Sequence, residues 1–222
     1  MRQRFLADVD EIKNGLLEMG SLVLSQVERA VRAWEERDVA VAHEVLATDD
    51  VIDERCLDLD QRIFNLHLHD APVAGDLRLL HVGLITIVAL ERVGDLAVSL
   101  ARQAEAVSPE GAVPAMQVLI RKMSTRAVDA LSYAVQGIAH GDLARGELAA
   151  TEAAAVSALL GQLLDAAGAA AAEDAESRSW IASAVLVARN LDRVANNGRD
   201  LGGRVRFLTT GEHFRRSVGG AV

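Results

Sequence analysis

The sequence has little of what staples, breaks or stiffens a chain. One cysteine, Cys56, stands in 222 residues, so no disulfide can close within the chain. That excludes a disulfide-stapled secreted scaffold and suits a reducing cytoplasm. Three prolines leave long stretches free of helix breakers, and aromatic residues make up only 3% of the chain. Basic residues are outnumbered, 23 against 32 acidic, for a net charge of −9. With no basic stripe, nucleic acid is excluded as a partner, and direct binding to an anionic membrane surface is disfavoured. The longest mostly apolar run, Val82 to Leu90, is nine residues, too short to span a bilayer. The N-terminus reaches Asp8 before any apolar run and does not read as a signal peptide. The expectation is a soluble, cytoplasmic protein.

Alanine and leucine dominate what is present, a composition that favours long, closely packed helices over sheet. Three-four spacing predicts a first helix over 4–36, carried by Phe5, Val9, Ile12, Leu16, Met19, Val23, Val27, Ala30 and Trp34. Asp38 is placed to cap a second helix over 39–68, with Ala42, Val45, Asp49, Ile52, Cys56, Leu59, Ile63 and Leu66 in its seam and Asp53 beside Ile52, also turned inward. Pro72 marks the next turn, and a third helix follows over 74–105. Ser108 to Gly111, then Pro114, form the clearest break. Helices are expected beyond it over 115–140, 143–171 and 178–208. The halves echo each other. Leu90-Glu91-Arg92-Val93 parallels Leu191-Asp192-Arg193-Val194, and Thr48-Asp49 parallels Thr151-Glu152, a period of about 100 residues. The reading is all-α: two tandem antiparallel three-helix bundles, 1–108 and 109–222, related by internal duplication.

Two acid pairs at i, i+4 carry the chemistry. Glu91 and Asp95 belong to the third helix, with Glu91 expected in the apolar seam and Asp95 at its border; Asp49 and Asp53 belong to the second. Asp49 and Asp95 each lie 23 residues from Pro72, and Asp53 and Glu91 each lie 19. In an antiparallel hairpin centred there, Asp49 faces Asp95 and Asp53 faces Glu91, so four carboxylates share about one helical turn. Three readings compete. A hard-cation site uses all four oxygen donors. A solvated face instead pairs the acids with Arg55, Arg62, Arg92 or Arg102. A carboxylate enzyme needs a cleft and a nucleophile, and neither is evident. Repulsion among like charges favours the metal reading. In the second half the equivalent positions hold Glu152, Val156, Asp192 and Asn196, with Asp200 one turn further. Val156 cannot ligate and Asn196 brings no charge, so a second metal site on Glu152, Asp192, Asn196 and Asp200 is expected to be weak or absent. His67, His69 and His81 lie away from the acids and are not expected to ligate.

The segments Ala71-Pro72-Val73-Ala74-Gly75-Asp76-Leu77-Arg78 and Leu90-Glu91-Arg92-Val93-Gly94-Asp95 resemble the PhoU family. The Phe5 to Gly20 stretch, Asp49-Asp50-Val51-Ile52-Asp53 and Leu208-Thr209-Thr210-Gly211-Glu212 share the likeness. The resemblance implies tandem three-helix bundles with acid-x-x-x-Asp motifs that bind metal, iron in some members, with Mg, Mn, Ca or Zn as other candidates here. It also implies a non-enzymatic, often homodimeric, negative regulator of phosphate-starvation signalling. Such a regulator links the phosphate ABC transporter to a sensor histidine kinase at the inner face of the membrane. Carried over residue by residue, the ligands are Asp49, Asp53, Glu91 and Asp95 in the first half. Glu152 and Asp192 remain in the second, where Val156 and Asn196 depart from the motif.

Overall fold

The structure is a computed structural model that describes residues 2–70, 72, 74–105, 111–170 and 175–212. Among the described residues it contains six α-helices and no strand: α1 (Arg2–Glu36), α2 (Val39–Asp70), α3 (Gly75–Arg102), α4 (Pro114–His140), α5 (Leu143–Ala169) and α6 (Ala175–Thr210). A 3₁₀ turn, Gln103–Glu105, tightens the end of α3. The boundary expected between 108 and 109 lies outside the described residues.

Local chemistry sets the turns. Arg37 takes a left-handed conformation (φ 58°), and Asp38 caps α2 by accepting the Val41 N–H at 3.0 Å. Gly141 (φ 66°) ends α4, and the Asp142 carboxylate accepts the Arg145 N–H at 3.3 Å. Gly211 (φ 79°) stops α6. These tight connections make consecutive helices antiparallel. Gly15 packs on Leu59, Arg29 pairs with Glu44 and Arg62 reaches Glu11, each pair level about residues 36–37.

Helices α1, α2 and α3 pack as one bundle, and α4, α5 and α6 as another. The apolar positions expected on α1 are all buried, as are Met116, Met123, Ala127, Leu131, Ala134 and Ile138 on α4. The two bundles share one core, because α1 runs antiparallel along α4 and α3 along α6. Trp34 and Trp180 stack tilted at 5.4 Å, and the Trp34 indole N–H donates to Ser183 Oγ at 3.0 Å. Arg121 binds both Glu35 oxygens, at 3.0 and 3.1 Å. Arg78 Nε donates to the Leu208 carbonyl at 3.1 Å, and Asn190 Nδ2 to Ser99 Oγ at 3.1 Å.

Helix α5 corrects one sequence expectation. A search for unbroken apolar runs passes over it, yet by length and composition it is apolar enough to cross a membrane. Length and composition are weak evidence of a span, and its Gly146, Ala149, Ala153, Val156, Leu160 and Leu163 are buried in the second bundle.

Glycine spacing fixes the tightest contacts. A Cβ on Gly198 would lie 2.7 Å from the Ala130 carbonyl carbon, whereas one on Gly161 meets nothing within 4 Å. Gly198→Ala is therefore expected to cost about 1–3 kcal/mol through forced backbone movement. Gly161→Ala should stabilise by about 0.5–1 kcal/mol, because a helix-interior glycine is removed. Urea denaturation of both variants checks this; equal effects would contradict the α4–α6 approach.

Candidate metal centre

Helices α2 and α3 meet in the register expected from the hairpin. A Cβ on Gly83 would lie 3.0 Å from Ile63 Cδ1, and one on Gly94 would lie 3.2 Å from Ile52 Cδ1. Both pairs are symmetric about residue 73, one beyond Pro72. Gly94 has a further effect, since its missing side chain would lie 3.7 Å from Asp49 Oδ1. Without a Cβ there, α2 closes on α3 and the Asp49 carboxylate reaches over the α3 backbone.

The charges interact as that placement requires. The Asp49 carboxyl is raised above its ordinary value of 3.8, first by burial, then by the negative charges of Asp53, Asp95 and Asp50; Arg102 opposes the shift. The Cys56 thiol is pushed up to about 12, by burial first and then by Glu91 and Asp53. Cys56 therefore stays protonated at neutral pH and serves as a small apolar core residue. Asp49, Asp53, Glu91 and Asp95 thus share one field at the α2–α3 edge.

No ion pair neutralises them among the described residues. Arg55 lies 3.7 Å from Glu18, while Arg62 lies 2.9 Å from Asp58 and 3.5 Å from Glu11. Arg102 acts on Asp49 through space only, and Arg92 points into the groove between α3 and α6. None of these four arginines forms an ion pair with the four acids among the described residues.

The expected depth of the acids needs correction. Glu91, Asp95 and Asp53 are exposed, and only Asp49 is half-buried. The seam of α3 runs instead through Leu90, Val93, Gly94 and Ala97, because α3 packs against α1, α2 and α6 together and buries a broad face. The acids fall at its edge over α2. Among the described residues no three carboxylate, imidazole or thiol groups stand gathered at coordinating distance. The donor chemistry nonetheless fits a hard cation: four carboxylates with no ion pair among the described residues, and a Gly94 without a Cβ beside Asp49 Oδ1.

The second-half set is not brought together. Glu152 turns to α4, where Arg126 Nη1 donates to it at 2.7 Å. Asp192 accepts from Ser157 Oγ at 2.7 Å and from Asn196 Nδ2 at 3.0 Å, so the Asn196 side chain presents its donor to Asp192. Val156 is fully buried. Asp200 lines the groove between α3 and α6. Arg126 and Ser157 thus do in this half what a cation would do in the first. Neither belongs to the acid motif, so motif reading passes over both.

Residues 16–104 match the family model described as PhoU domain. The chain is 28% identical over 213 residues to the Phosphate-specific transport system accessory protein PhoU homolog of Pseudomonas putida, covering 96% of this chain and 83% of that one. A Burkholderia homologue of the same name is 32% identical over 65% of this chain and 62% of its own. The crystal structure of PhoU from Pseudomonas aeruginosa superimposes with a TM-score of 0.86 at 27% identity, over 94% of this chain and all of that one. Residues 16–104 thus form a PhoU domain. The phosphate transport system regulatory protein PhoU from Streptococcus pneumoniae shares the fold, with a TM-score of 0.85 at 18% identity. The PhoU domain match ends at 104, so it covers the hairpin that carries all four acids and stops before the second half, where the acid set is dispersed.

Crowded like charges predict a pH-dependent cost in metal-free protein. Since the folded-state value of Asp49 is raised, its contribution to stability is full below the unfolded value and is lost as pH rises through the folded one. With chelator present, Asp49→Asn should raise the melting temperature at pH 7 by about 1–3 °C, a gain that fades toward pH 3. Differential scanning calorimetry across pH reads this. A lower melting temperature at pH 7 would mean that the carboxylate is favourably held.

Proposed function

We propose that this chain is a cytoplasmic, non-enzymatic regulator of phosphate uptake. It acts as an adaptor between a phosphate ABC transporter and a sensor histidine kinase, and holds the starvation response off when phosphate is plentiful. The observation that carries this reading is similarity along almost the whole chain to proteins named as accessory to phosphate-specific transport. The fold suits an adaptor: two bundles joined through one core present long helical faces. A homodimer belongs to the same proposal.

The metal is part of the proposal. Asp49, Asp53, Glu91 and Asp95 would hold one or more hard cations, with iron, Mg, Mn, Ca or Zn as candidates. A bound cation supplies positive charge that cancels the repulsion among the four acids. The residues then tie α2 to α3 on the outer face of the first bundle. The second bundle, with Glu152 held by Arg126 and Asp192 by Ser157, takes no equivalent ion.

Two measurements test this reading. Deleting the gene should derepress a phosphate-starvation reporter in phosphate-rich medium, and the intact chain should restore repression; unaltered expression overturns the regulatory role. Elemental analysis of purified protein should find metal that Asp95→Ala largely removes and Asp192→Ala leaves in place. Equal metal content in all three proteins would refute the site assignment while leaving the adaptor role standing.

A further inference from the structure

Helix α2 carries a second three-four stripe on the side away from its core seam: Asp50, Glu54, Leu57, Gln61, Phe64 and Leu68. All six are exposed. Leu57 is 71%, Leu68 64% and Phe64 58% exposed, the three highest values among the large hydrophobics of the described residues. Single apolar side chains on a surface need no explanation, but three aligned on one helix face over about three turns mark a contact face. Gln61, between them, donates from Nε2 to Asn65 Oδ1 at 3.1 Å and so bonds within its own helix. The stripe changes character along its length, acidic at Asp50 and Glu54 and apolar from Leu57 to Leu68.

Charge selects the occupant. Asp50 and Glu54 on the stripe, and Asp60 beside it, make no ion pair among the described residues. The only two arginines of α2 turn toward α1: Arg55 lies 3.7 Å from Glu18, and Arg62 lies 3.5 Å from Glu11 and 2.9 Å from Asp58. No lysine or arginine therefore shares the face with Leu57, Phe64 and Leu68. Asp50, Glu54 and Asp60 also lie outside the four-carboxylate set, so they keep their charge when that set holds a cation. Such a face repels an anionic lipid surface. The same stripe on a second copy has no lysine or arginine to offer it. A basic, amphipathic segment matches it. Along the axis Leu57 lies about 5 Å from Glu54 and about 10 Å from Asp50 at 1.5 Å rise per residue. The basic residues of the occupant thus stand one to two turns beyond its apolar anchors, and a helix laid along α2 presents both.

We infer that the outer stripe of α2 docks a basic amphipathic helix of the phosphate transporter complex, with apolar side chains on Leu57, Phe64 and Leu68 and lysine or arginine on Glu54 and Asp50. This deepens the adaptor reading and rests on it. The transporter is the partner of choice because the relatives are named as accessory to phosphate-specific transport.

The test measures binding of the full chain to the purified phosphate transporter complex, and separately to the cytoplasmic portion of the sensor kinase, by biolayer interferometry. Leu57→Ala and Phe64→Ala should each weaken transporter binding by about tenfold or more. Asp50→Lys and Glu54→Lys should each weaken it by about threefold or more, a loss that shrinks as salt rises. Leu186→Ala on α6 and Glu147→Lys on α5, an exposed leucine and an exposed acid of the second bundle, should leave it unchanged. All six positions are exposed, and circular dichroism confirms that each variant stays folded. Transporter binding that none of the four stripe variants weakens overturns the stripe and leaves the adaptor role intact. No binding of the unaltered chain to transporter or kinase overturns the adaptor reading, and the stripe with it. If the stripe variants weaken kinase binding alone, or dissolve a homodimer while transporter binding persists, the occupant is another and the inference is wrong.

Discussion

Helix α3 is packed from three sides, and that constraint organises the molecule. It touches α1 and α2 within its own bundle and α6 across the interface. Fifteen of its residues are buried, leaving one exposed stripe. Glu91 and Asp95 fall on the edge toward α2, and Arg92 falls on the edge toward α6. A helix so confined cannot rotate to relieve repulsion at one edge without unpacking the others. Close approach at Gly83 and Gly94 locks it further against α2. The acid patch and the α3–α6 groove therefore follow from a single packing decision.

That decision also explains why the two halves differ. The duplicated plan places an acid at 192 as at 91, on the corresponding helix. In the first half no side chain hydrogen-bonds or ion-pairs with the four acids among the described residues. In the second, Ser157 and Asn196 donate to Asp192, and Arg126 reaches Glu152 from α4. Hydrogen bonds and an ion pair satisfy these carboxylates from within the chain, so this half has no need of a cation. The first bundle leaves its carboxylates to solvent and to one another, and the second bonds its own. The bundles are not equivalent, although their helices are.

Much of this was legible from residue order, and the reasons are local. Asp38, Pro72 and the Gly141-Asp142 pair announce tight turns, and tight turns force antiparallel neighbours. Reflection about Pro72 therefore paired Asp49 with Asp95 to within a residue. Depth was not legible. A single three-four stripe on α3 puts Glu91 in the seam, but contact with three helices widens the buried face and recentres it on Leu90, Val93 and Ala97. Reflection also says nothing about helices that do not share a turn. The Arg126–Glu152 pair, the position of Asp200 and the α3–α6 groove all depend on how one bundle leans on the other or on rotation about a helix axis. The pairing of Trp34 with Trp180, a principal fastening between bundles, carries no signal in sequence spacing.

The central claim is that the first bundle holds a cation on the α2–α3 edge and the second bundle holds none. Anomalous diffraction from crystals grown with manganese tests it most directly. The account predicts an anomalous peak among Asp49, Asp53, Glu91 and Asp95, and none beside Asp192. A peak at the second bundle alone, or none at either, would contradict it.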